Sequence, residues 1–161
     1  ENVRGAVLPV LHNVALTPHG QQALADAFSP PCVVAVGEVA CSEKARLCLA
    51  KMVFFAAAGD EGRAAMADVG VRNVLIKLAL TAETDGVRKA VANAVGRVAS
   101  AEVGRRVMAR GGMCDALVSM RRAAESSETR AAISEAWRIL EWERGGCLVA
   151  DAGPATAMVA E

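Results

Sequence analysis

The chain repeats itself every 42 residues. Slid by that interval without gaps, it places Arg4, Arg46, Arg88 and Arg130 in one column and Gly20, Gly62, Gly104 and Gly146 in another. Other columns agree in kind. Ala6, Cys48, Ala90 and Ala132 are small; Leu11, Val53, Val95 and Trp137 are apolar; Ser42, Thr84 and Ser126 are good helix N-caps. A period of this length marks a supersecondary unit stacked on copies of itself, because a unit so short cannot bury its own apolar face alone.

Each column has a mechanical reading. Ser42, Thr84 and Ser126 can accept from the free N–H groups that open a helix, and Glu43 and Asp85 complement its positive end. A long helix is therefore expected after each cap. In one copy Val87, Ala90, Val91, Ala94, Val95 and Val98 recur at the three-and-four spacing of a single buried face. The equivalents run over 2–15, 43–57 and 127–142. The glycine of each unit is read as a left-handed turn closing this helix. A short helix follows, over 21–28, 63–69, 105–110 and 147–152, ending on Gly70, on Gly111 with Gly112, and on Gly153. A second helix then carries Val74, Leu75 and Leu78, or Ala116, Leu117 and Met120, with Pro30 and Pro31 suited to the first turn of its earliest copy.

Three helices per unit make an all-α right-handed solenoid the expected fold, and composition agrees. The chain is 53% hydrophobic but only 3% aromatic, without a Tyr, so its core must be built from Ala, Val, Leu, Ile and Met. Such side chains suit close-packed helices better than a β-sandwich. Boundaries fall at 1–19 for the third helix of a truncated repeat, 20–61, 62–103 and 104–145 for complete repeats, and 146–161 for the start of another. Neither end reads as a polar capping unit, so the sequence is expected to be part of a longer chain or larger complex.

The stretches EGRAAMADVGVRNVLIKLALTAETDGVRKAVANAVGRVAS and EVGRRVMARGGMCDALVSMRRAAESSETRAAISEAWRIL, with Leu11, Asn13, Val14 and Ala15 in the first copy, resemble armadillo repeats. The 42-residue spacing is similar to the arrays attached to leucine-rich-repeat kinases and their relatives. That resemblance implies an armadillo-like superhelix whose third helices line a concave groove for extended peptides. The stripe left outside the core then offers Asn13, Lys51, Phe54, Phe55, Asn93, Arg97, Arg138 and Trp142 as partner contacts. Import receptors of the family repeat a Trp and an Asn there, four residues apart. Here the Asn slot reads Asn13, Phe55, Arg97, Ile139 and the Trp slot Pro9, Lys51, Asn93, Glu135, so import-signal recognition is not expected.

Several features carry two readings. Phe54 and Phe55 are adjacent and cannot both lie deepest in the core; both pack on the neighbouring unit, or one anchors a partner. Trp137 shares a column with Leu11 and Val53 and reads as core. The arginine column is either a ladder for acidic ligand side chains or a set of local pairs, since Glu1, Glu43 and Asp85 lie three residues before Arg4, Arg46 and Arg88. Arg105, Arg106, Arg110, Arg121 and Arg122 form a denser group expected to have no comparable acid near it until Glu125; it is a solvated face or a basic patch.

Charge and chemistry narrow the function further. With 18 basic and 18 acidic residues the chain lacks the electrostatic footprint of a nucleic-acid binder. The longest apolar run, 52–58, is too short for a membrane span. Five cysteines without a CxxC pair fit a reducing, cytoplasmic setting rather than a disulfide framework or zinc site. His12 and His19 have no nucleophile motif beside them, and no phosphate-binding loop appears. No enzyme activity, cofactor, metal or small-molecule substrate is expected. The leading expectation is a scaffold that binds other proteins or extended peptides. The alternative is a structural subunit of a large assembly, axonemal, ciliary or ribosome-associated, packed on by neighbours at both ends.

Overall fold

In the computed structural model the described residues are 27–141, together with Asn13, Thr17, His19, Gly20 and Ala23. The expected long helix over 2–15 (apart from Asn13), most of the short stretch over 21–28, the last short helix over 147–152, and Trp142 lie outside them. Among the described residues all regular structure is helical. The order is α1 (Pro30–Val39), α2 (Glu43–Ala56), α3 (Asp60–Met66), α4 (Val69–Thr81), α5 (Asp85–Ala99), α6 (Glu102–Met108), α7 (Met113–Ala123) and α8 (Ser127–Glu141).

The long helices α2, α5 and α8 begin 42 residues apart, and the caps work as their sequence implies. Ser42 Oγ accepts from Ala45 N–H at 3.2 Å, Thr84 Oγ1 from Val87 N–H at 3.4 Å, and Ser126 Oγ from Thr129 N–H at 3.1 Å. Pro30 and Pro31 occupy the first turn of α1. The six apolar positions read for α5 are all buried, as are Val74, Leu75 and Leu78 on α4 and Ala116, Leu117 and Met120 on α7. Like helices stack on like: α2 packs on α5 and α5 on α8, while α1 packs on α4 and α4 on α7. One apolar core runs through the stack between the two rows.

The short helices start three residues earlier than their sequence suggests, at Asp60 and Glu102. Acidic residues in each first turn, Asp60 with Glu61 and Glu102, complement the exposed N–H groups there. Gly62 and Gly104 consequently lie inside the short helices, and the left-handed turn expected of them is overturned; Gly146 lies outside the described residues. Among the described glycines only Gly111 (φ 67°) and Gly112 (φ 90°) have positive φ. Gly62 and Gly104 serve instead as contact points with the preceding long helix. A Cβ at Gly62 would stand 1.8 Å from the Ala56 carbonyl oxygen, and one at Gly104 1.9 Å from that of Val98. No side chain fits between these backbones. Gly70 also differs from its reading as a turn: Asp68 caps α4 through Gly70 N–H at 2.7 Å and Val71 N–H at 3.2 Å, so Gly70 sits in the helix's first turn.

The arginine column joins each long helix to the loop before it. Arg46 Nη2 donates to Cys41 O at 3.0 Å, Arg88 Nη2 to Ala82 O at 3.1 Å, and Arg130 Nη1 to Ala124 O at 2.8 Å. Arg46 also pairs with Glu43 at 2.8 Å, and Arg88 with Asp85 at 3.0 Å. Arg46 and Arg88 are thus largely enclosed and engaged, which supports local pairing over a ligand ladder.

The acids do more than pair. Glu43 Oε2 accepts from Thr84 N–H at 3.1 Å and Thr84 Oγ1 at 2.7 Å, while its Oε1 accepts from Glu83 N–H at 3.1 Å. Asp85 repeats the arrangement one unit on, accepting from Glu125 N–H at 3.2 Å and Ser126 N–H at 2.7 Å. The first residue of each of these long helices therefore clamps the loop and cap of the next. Ser127 stands in this slot on α8.

Candidate partner-binding groove

The long helices leave a cleft of about 300 Å³ between α2 and α5. Lys51, Phe54 and Phe55 supply one wall from α2; Gly86, Lys89, Ala90 and Asn93 supply the other from α5. These residues meet because the two helices run side by side with their apolar stripes turned to the core, which leaves the next stripe around each helix facing the gap. Four residues named from the sequence, Lys51, Phe54, Phe55 and Asn93, are brought together here.

The two phenyl rings make the floor apolar. Both are half-buried and pack against the core, with ring centroids 5.5 Å apart in an edge-to-face arrangement at 75°. Neither is wholly core nor wholly exposed. The Arg97 guanidinium stands over the Phe54 ring, 4.6 Å from its centroid, which holds a charged group beside an apolar surface. Asn93 is exposed and Lys51 half-buried.

Gly86 and Lys89 were not singled out from the sequence, and Ala90 was read there only as a core position. Their signal was present, since Lys89 and Gly86 precede Asn93 by four and seven residues and so share its face. Gly86 matters because it has no side chain: a Cβ there would meet nothing closer than Thr84 Oγ1 at 3.9 Å, so the space belongs to the cleft. Lys89 forms an ion pair with the exposed Glu128 of α8.

The other candidates lie elsewhere or are engaged locally. Arg138 on α8 pairs with Glu135 through Nε at 2.8 Å and Nη2 at 2.6 Å. That pair raises the Arg138 pKa and lowers that of Glu135, yet both side chains remain more than half exposed. Asn13 is exposed and helical. Trp137 is half-buried and packs on the core.

Of the arginine group, Arg106 is paired with Glu102, an acid four residues before it, which corrects the reading that no acid lies near. Arg105 is half-buried, whereas Arg110, Arg121 and Arg122 are exposed. Among the described residues, no helix is long and apolar enough to cross a membrane, and no three His, Cys, Asp or Glu side chains gather where they could hold a metal.

No protein-family model matches the chain, and no curated protein matches it either.

Proposed function

We propose that the chain is a non-catalytic scaffold, an armadillo-like solenoid of three-helix repeats whose long helices line a groove for partner proteins or extended peptides. The observation that carries this reading is the cleft between α2 and α5, an aromatic floor edged by Lys51, Lys89 and Asn93. Apolar anchors seated in such depressions concentrate binding energy, and polar groups around them set register. The stacking of α2 on α5 and of α5 on α8, helices that begin 42 residues apart, supports the solenoid. On this reading the protein works in the cytoplasm, through contacts with other proteins and without a cofactor or nucleic acid.

Binding is tested by substituting the floor. Phe55→Ser, assayed by pull-down from an extract with mass-spectrometric identification, is expected to lose partners that the wild-type chain captures while keeping its helical circular dichroism. Retention of every captured partner by a folded Phe55→Ser chain would overturn the groove.

A further inference from the structure

The electrostatics around the cleft specify its ligand more closely, an inference that rests on the groove reading. Lys51 lines the cleft from α2. Across the cleft stand Lys89 and, over the Phe54 ring, Arg97. Among the described residues Lys51 and Arg97 make no ion pair, and Lys89 is engaged by the exposed Glu128. No carboxylate lines the cleft. Its rim is therefore cationic around an apolar floor, although the whole chain is neutral.

We propose that the cleft between α2 and α5 binds an acidic, extended segment of a partner protein, with an apolar side chain seated on Phe54 and Phe55 and flanking carboxylates on Lys51, Lys89 and Arg97. The side-chain-free position at Gly86 is where the anchor enters. A basic segment would bring its own cations against this rim, and a purely acidic one would leave the aromatic floor wet.

Gly86 makes the test clean. Gly86→Leu puts a side chain into the cleft from a helical position with no neighbour to displace, and replaces a poor helix former with a good one. The full chain and its Gly86→Leu and Lys51→Glu variants would each be screened against a random dodecapeptide display library, and enriched peptides measured by fluorescence polarisation at two salt concentrations. The expected result is enrichment of peptides with an aromatic or aliphatic residue flanked by acids. Their affinity should fall at least about tenfold in both variants and weaken with salt. Basic or neutral peptides that lose binding in Gly86→Leu would overturn the acidic ligand and leave the groove reading standing. Peptides indifferent to Gly86→Leu would overturn the cleft as the site, and an empty screen would overturn both.

Discussion

The Asp85 carboxylate accepts the backbone N–H of Ser126 at 2.7 Å, so the first residue of one long helix holds the cap of the next. Glu43 holds Thr84 in the same way, through both its N–H and its hydroxyl. Burial pushes the Glu43 pKa up, but hydrogen bonds from Thr84, Glu83 and Arg46 outweigh it and leave the carboxyl below its ordinary 4.5. The Ser126 N–H leads the bonds that hold Asp85 well below its ordinary 3.8.

These joints predict acid sensitivity. A carboxyl whose pKa is lower in the folded state binds fewer protons than in the unfolded chain, so its stabilisation is complete above the unfolded value and is lost as pH falls toward the folded one. The urea midpoint should be flat from neutral pH down to about 5 and then decline toward about 2. In a Glu43→Gln, Asp85→Asn double variant that decline should be visibly shallower. Superimposable pH profiles would show that the joints contribute nothing.

The repeated glycines are expected to be intolerant for a steric reason. Gly104→Ala places a methyl inside the van der Waals radius of the Val98 carbonyl oxygen, and should cost about 3 kcal/mol or more despite alanine's better helix propensity. Gly86→Ala, with open space at its Cβ, should instead raise stability by up to about 1 kcal/mol. Thermal unfolding of the two variants should move in opposite directions.

Position in the arginine column should govern its value. Arg88 is buried and bonded to both Asp85 and Ala82, so Arg88→Ala should cost about 2–4 kcal/mol. Arg88→Lys should rescue only part of this, since one ammonium cannot reproduce a fork reaching two acceptors. Arg130 is exposed and has no acid three residues before it, so Arg130→Ala should cost about 1 kcal/mol or less. Chemical denaturation of the three variants checks the order.

Arg97 and Phe54 should be energetically coupled. A double-mutant cycle with Arg97→Ala and Phe54→Leu is expected to give an interaction of about 0.5–1 kcal/mol, in the range of a partly exposed cation over an aromatic face. Strict additivity would remove the contact as an organiser of the cleft.

Thiol chemistry should follow burial. Cys32 and Cys41 are exposed, whereas Cys48 is buried with its pKa pushed up by that burial. Brief iodoacetamide treatment at neutral pH, mapped by mass spectrometry, should label Cys32 and Cys41 and spare Cys48 until the chain is denatured. Equal labelling of Cys48 in the native chain would contradict the packing of α2.

Much of the fold was legible because its signals are local. The Ser42, Thr84 and Ser126 caps, the buried face of α5 and the proline start of α1 depend on residues within a turn or two of one another, where spacing maps directly onto geometry. Half of the groove was legible for the same reason. Lys51, Phe54, Phe55 and Asn93 follow from subtracting the core face from each long helix. Gly86 and Lys89 did not stand out, because their importance comes from what lies opposite on α2.

The sequence by itself determined the order of the described helices and the apolar face of the long ones, since these obey rules of short range. Tertiary structure alone decided that Glu43 and Asp85 reach some 40 residues ahead to grip the next cap. It also decided that Gly62 and Gly104 mark backbone crossings rather than turns, and that Phe54 and Phe55 share one half-buried floor. A carboxylate, a missing methyl or a phenyl ring looks the same in sequence whatever it faces. Only the stacking of one unit on the next sets the distance to a carbonyl, an amide or a ring, and that distance selects the role.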